Sequence, residues 1–115
     1  MVIEIGINNT SKIYNNLDEI IILDNYDDII YIYCYNNKLT SLPILPANLK
    51  YLYCNNNKLT SLPDKLPDNL QILSCNNNKL TSLPILPKSL EHIWCDKIQL
   101  ILIQNTINFK LHIKN

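Results

Sequence analysis

The chain is predicted to be an α/β solenoid with little helix, about six short parallel strands stacked on one face and joined by extended return segments. Two observations predict it. The block Asn-Asn-Lys-Leu-Thr-Ser-Leu-Pro occurs three times, and Cys34, Cys54, Cys75 and Cys95 fall 20, 21 and 20 residues apart. The prolines, Pro43, Pro46, Pro63, Pro67, Pro84 and Pro87, recur in pairs after each block. A fixed φ and a missing donor bias those segments away from helix, toward extended or polyproline-like backbone.

The repeats begin at Ile29, Leu49, Leu70 and Leu90, with the last copy diverging. Apolar residues at the first, fourth, sixth and eleventh positions, as at Leu49, Leu52, Cys54 and Leu59, point inward in this reading. Each coil then buries its stripe only when a neighbour stacks on it, so a lone repeat cannot fold. The pattern L-x-x-L-x-C-x-x-N-x-L resembles the leucine-rich-repeat family over roughly residues 29 to 100. The continuation Leu-Pro-x-Leu-Pro is most similar to the short repeats of bacterial effectors and of large viruses of amoebae. The resemblance implies a leucine-rich-repeat horseshoe segment and a role in binding other proteins.

One domain suits a chain of 115 residues, divided into an N-terminal cap over 1–28, four repeats over 29–97 and a C-terminal cap over 98–115. In the first cap, Ile3, Ile5 and Ile7 alternate as in a strand. Over 11–23, Ile13, Leu17, Ile20 and Ile21 recur at helical spacing, with Thr10 as N-cap. A strand-plus-helix cap is therefore expected. At the other end Phe109, Leu111 and Ile113 alternate with Lys110, His112 and Lys114, an edge strand guarded by lysine.

Formal charge is zero, all ten basic residues are lysine, and the surplus of Asn, Ile and Tyr suggests an AT-rich genome. Within residues 1–28 six acids face Lys12 alone, leaving nine lysines against four acids in the rest. Without arginine or a strong basic excess, nucleic acid is a disfavoured partner. No apolar run approaches the roughly 18 to 20 residues of a membrane span, and no basic-then-apolar leader opens the chain, so an intracellular, cytoplasmic protein is expected.

Four sulfurs in one inward row, about 4.8 Å from coil to coil, cannot surround a single zinc ion, so no metal is assigned and the cysteines read as reduced, buried hydrophobes. A disulfide between adjacent coils stays open sterically but is disfavoured inside a cell. Asn37, Asn57 and Asn78 sit where the chain leaves each strand and should form a ladder to backbone groups, with Ile98 interrupting it in the fourth copy. Lys38, Lys58 and Lys79 read as a solvated row that could steer an acidic partner.

The third-position residues Tyr31, Tyr51, Ile72 and His92 and the fifth-position residues Tyr33, Tyr53, Ser74 and Trp94 should point out of the sheet. Tyrosine pairs stabilise strands, which is one reading of the face. A contiguous aromatic patch also marks interaction sites, where Tyr and Trp are enriched, and that reading is preferred. The candidate partner-binding residues are Tyr31, Tyr33, Tyr51, Tyr53, Ser74, His92 and Trp94, with Ser74 as the solvent-facing floor of a saddle between aromatic walls. No catalytic set is assigned and no cofactor: neither His92 nor His112 has a nucleophile and acid at recognisable spacing, and one glycine cannot make a phosphate loop. The expected function is a protein or peptide-binding module; a self-associating homodimer is the alternative.

Overall fold

The computed structural model describes residues 1–96 and the backbone of a strand at Lys110–Lys114. Its elements are β1 (Ile3–Ile7), β2 (Thr10–Tyr14), α1 (Asp18–Ile21), a 3-10 turn (Tyr26–Asp28), β3 (Tyr31–Tyr33), β4 (Tyr51–Tyr53), β5 (Ile72–Ser74), β6 (His92–Asp96) and β7 (Lys110–Lys114). They form one sheet in the order β2-β1-β3-β4-β5-β6-β7. From β3 to β7 all pairings are parallel, while β1 is antiparallel to both β2 and β3. A mostly parallel sheet with one four-residue α-helix fits a repeat solenoid.

The repeat register follows from burial. Ile29, Leu49, Leu52, Leu59, Leu70, Leu73, Leu90 and Ile93 are buried, together with all four cysteines. In-register pairs Ile32↔Leu52, Leu52↔Leu73 and Leu73↔Ile93 stack like on like, so the core is a set of aliphatic columns one coil apart. Between β4 and β5 the longer return over 54–71 leaves this register unchanged, because its extra residue lies at Asp64–Lys65, both exposed. Each return closes with the same tight turn, in which Leu49, Leu70 and Leu90 donate their N–H to the carbonyls of Pro46, Pro67 and Pro87. The proline that cannot donate is thus used as an acceptor, delivering the next inward leucine.

The N-terminal cap departs from expectation. Residues 10–14, read as the start of a helix with Thr10 as N-cap, are instead β2, and helix is confined to Asp18–Ile21. Asn8 and Asn9 both have positive φ, 50° and 64°, and Ile7 pairs with Thr10 across them, which makes a two-residue hairpin. A hairpin of that length needs φ > 0 at both central positions, and asparagine tolerates it. The Thr10 hydroxyl donates to the Ile7 carbonyl at 2.6 Å and seals the turn rather than capping a helix. Among the described residues the sheet consequently has seven strands, with β1 running against the other six, where about six parallel strands were expected.

The cap is clipped to the first coil from the return side. Asp27 accepts the Ala47 and Asn48 N–H groups through its side chain and its carbonyl, and the Tyr26 hydroxyl donates to the Ile44 carbonyl at 2.6 Å. Burial followed by the Asp27 charge pushes the Tyr26 phenol up to about 12. At the far end, the expected edge strand is found as β7, parallel to β6; its side chains and Ile98, the doubtful ladder rung, lie outside the described residues.

Candidate functional site: the aromatic sheet face

Strand alternation places the candidate side chains. In β3 and β4 the central Ile32 and Leu52 are buried while Tyr31, Tyr33, Tyr51 and Tyr53 emerge on the other face, each half-buried by its neighbours. Parallel register aligns Tyr31, Tyr51, Ile72 and His92 in one row and Tyr33, Tyr53, Ser74 and Trp94 in the next. The sequence rows are therefore reproduced residue by residue.

Tyr33 is the hub of the N-terminal half. Its ring centroid lies 4.4 Å from Tyr31, 4.9 Å from Tyr53 and 6.5 Å from Tyr35, all tilted, within the range of favourable aromatic pairs. Burial, then the neighbouring Tyr53, raises the Tyr33 phenol above its ordinary value. At the other end His92 and Trp94 stack with centroids 6.0 Å apart. Ile72 and Ser74 separate the two groups, so the face carries two aromatic clusters rather than one continuous stripe.

Ser74 differs from its expected role. It is only 6% exposed, and its hydroxyl lies 3.1 Å from the side-chain oxygens of both Asn55 and Asn76. With buried Asn76 it forms a polar knot under the face, so it is not an open, solvent-facing floor. The physical reason is size: a serine in register with Tyr53 and Trp94 is short, and its hydroxyl turns to the two neighbouring asparagines rather than to solvent. A large residue there would break the knot and disturb the fold as well as fill the gap.

Tyr31 is likewise committed to the structure. It pairs with Gly6 across the β1–β3 ladder, and a Cβ on Gly6 would stand 1.9 Å from the Tyr31 ring. The only glycine of the chain is there so that this ring can lie flat on the cap strand. Its hydroxyl donates to Glu4 Oε2 at 2.8 Å, which, with burial, raises the Tyr31 phenol. Glu4 and Gly6 are the residues of this face that sequence reasoning did not select, whereas Tyr35, turned out of the sheet by the same alternation, joins it as an outlying ring. The Asn8-Asn9 hairpin signal could have found Glu4 and Gly6, because it brings β1 back beside the first repeat.

Below the face, the Asn37, Asn57 and Asn78 ladder is present. The Asn57 amide donates to the Cys34 and Cys54 carbonyls at 3.0 Å and accepts from Leu39 N at 3.1 Å; Asn78 repeats this one coil on with Cys54, Cys75 and Leu59. Asn37 uses the same side chain to hold both backbone groups of Val2, joining cap to coil. A second row was not anticipated. Asn36, Asn56 and Asn77 all have positive φ near the left-handed minimum, and their amides bond in series, Asn56 to Asn36 at 2.8 Å and Asn77 to Asn56 at 2.6 Å. Only asparagine combines tolerance of that backbone with an amide able to donate and accept.

Beneath lie the thiols. Burial raises Cys34 to about 12 and Cys95 to about 11, and holds Cys54 and Cys75 well above the ordinary thiol range. Lys38, Lys58 and Lys79 are exposed on the flank, as read from the sequence.

With this geometry in place, comparison adds one match. Residues 47–88 match a family model for leucine rich repeats (2 copies). The stretch takes in β4, β5 and two of the three proline pairs, a little over a third of the chain. No curated protein matches the sequence. Leucine-rich repeats generally mediate protein–protein interaction and are typically non-enzymatic.

Proposed function

We propose that this protein is a protein-binding module whose sheet face, residues Tyr31, Tyr33, Tyr51, Tyr53, His92 and Trp94 over the buried Ser74, receives a protein or peptide partner in an intracellular, cytoplasmic setting. The observation that carries the reading is the cluster centred on Tyr33, whose ring meets those of Tyr31, Tyr35 and Tyr53, all of them left half-exposed or exposed. Rigid aromatic groups of this kind supply contact area at low entropic cost, and they dominate binding energetics where they occur. The match to leucine rich repeats supports the same direction. The setting suits four unpaired cysteines.

Affinity capture compares the wild type with a Tyr53→Ala, Trp94→Ala double variant and with Lys65→Ala on the return side. Partners retained by wild type and Lys65→Ala but lost from the double variant meet the expectation. Retention by all three rejects the face. Self-association is the second reading, favoured by the outermost position of β2, an exposed strand with Ile13 63% exposed. Such an edge is a template for pairing. A mass that stays monomeric by light scattering over a wide concentration range removes that reading.

A further inference from the structure

At the N-terminal end of the aromatic face the cap strand and the first coil enclose a cleft of about 410 Å³, with Glu4, Tyr33, Tyr35, Asn36 and Val2 among its walls. The antiparallel register sets Glu4 directly opposite Tyr33. The Tyr31 hydroxyl, bonded to Glu4 Oε2, fixes the carboxylate from the far side. The rings of Tyr33 and Tyr35 stand 6.5 Å apart at 47°, two angled walls with the carboxylate beside them. Tyr35 is 44% exposed, so one wall is open to an incoming group. Met1 and Asn37 complete the lining, and no lysine is among it.

We propose that this cleft is a cation subsite, which takes the ammonium group of a partner's lysine, free or methylated, against the Tyr33 and Tyr35 rings and the Glu4 carboxylate. The chemistry is complementary on two counts. Aromatic faces attract cations through their quadrupole at about 6 Å or less from the centroid. A carboxylate held in place by a phenol adds a negative charge without having to be ordered on binding. The remaining clefts lack this combination; the one on the return side, around Ile44 and Leu66, has Lys65 in its wall.

The inference rests on the reading of this face as a contact surface, but its test needs no partner. Nα-acetyl-lysine methylamide, its trimethylated form and the neutral isostere Nα-acetyl-norleucine methylamide are titrated into the full chain, with Glu4, Tyr33 and Tyr35 followed by NMR. Saturable shifts at these residues from both lysine probes, weakening with salt and absent with norleucine, are expected. Glu4→Gln, which keeps an acceptor for Tyr31, should weaken the lysine probe about three- to tenfold, and Tyr35→Leu should weaken the trimethylated probe by a comparable factor. Equal response to norleucine, no response to lysine, or shifts confined to His92 and Trp94 would overturn the subsite. That outcome rejects the cation site alone; partner capture indifferent to Tyr53 and Trp94 rejects the broader reading.

Discussion

Raising the pH should unfold this protein through its cysteines. Cys34, Cys54 and Cys75 each have an ionisation held above the ordinary thiol value of 9.0, chiefly by burial. In the unfolded chain the thiols ionise near that value. Above it the unfolded state therefore binds fewer protons than the folded one, and stability falls as pH rises. The thiol contribution is fully present below about pH 9 and drains away toward the folded value of about 12 for Cys34. At about pH 10 an unfolded thiol is about nine-tenths ionised, worth a little over about 1 kcal/mol, so the three thiols raised furthest cost about 4 kcal/mol. That is a large share of the roughly 5 to 15 kcal/mol of a small domain and lowers the urea midpoint by about 1 to 4 M. Urea titrations monitored by Trp94 fluorescence at about pH 7.5 and about pH 10 read it directly. Cys54→Ala separates thiols from tyrosines, because it should recover about a third of the alkaline loss. A midpoint that does not move between the two conditions, or rapid alkylation of Cys54 in the native protein, refutes the reasoning.

Three further outcomes follow from particular contacts. Asn57→Ala strands the Leu39 N–H and removes donors from two carbonyls, and should cost about 1 to 3 kcal/mol by denaturant titration, against a smaller loss for half-buried Asn56→Gly, whose φ of 57° glycine accepts while two side-chain bonds are lost. Gly6→Ala forces the Tyr31 ring off the cap strand and should cost about 1 to 3 kcal/mol, with upfield-shifted Gly6-region resonances lost; a neutral outcome would mean that the ring is not seated there. Asn9→Gly, at a φ of 64°, should be neutral or slightly stabilising, whereas Asn9→Val should cost about 1 to 2 kcal/mol or more, and equal stability of the two would argue against the hairpin.

Periodicity made the coils legible. Once Cys34, Cys54, Cys75 and Cys95 are aligned, alternation alone decides that Leu52 points in and Tyr53 points out, and stacking enforces the same register in every coil. The cap has no such repetition. Ile13, Leu17, Ile20 and Ile21 satisfy a helical spacing by coincidence, and the local signal that overrides it is the pair of asparagines at 8 and 9, whose φ > 0 commits the chain to reverse. Glu4 and Gly6 then reach the face only through an antiparallel pairing with β3 that no repeat announces. Ser74 was placed in the correct row but assigned the wrong exposure, since alternation gives direction and says nothing of the asparagines at 55 and 76 that its hydroxyl meets.

The exposed asparagine row has a direction. Each amide gives its hydrogen to the coil before it and offers its oxygen to the coil after it, as Asn77 does to Asn56 and Asn56 to Asn36. The backbone runs the other way, with Asn36 N–H donating to the Asn55 carbonyl and Asn56 N–H to that of Asn76, each in the coil that follows. At the last described coil the pattern changes hands: the Asn77 N–H is taken at 2.8 Å by the carboxylate of Asp96 in place of a carbonyl. A duplicated coil inserted before β6 would meet the same donor and acceptor on either side that its parent met, whereas one inserted after Asp96 would not. Gene duplication can therefore lengthen this protein from within at little conformational cost, and the position of a single aspartate marks where growth of the stack stops being free.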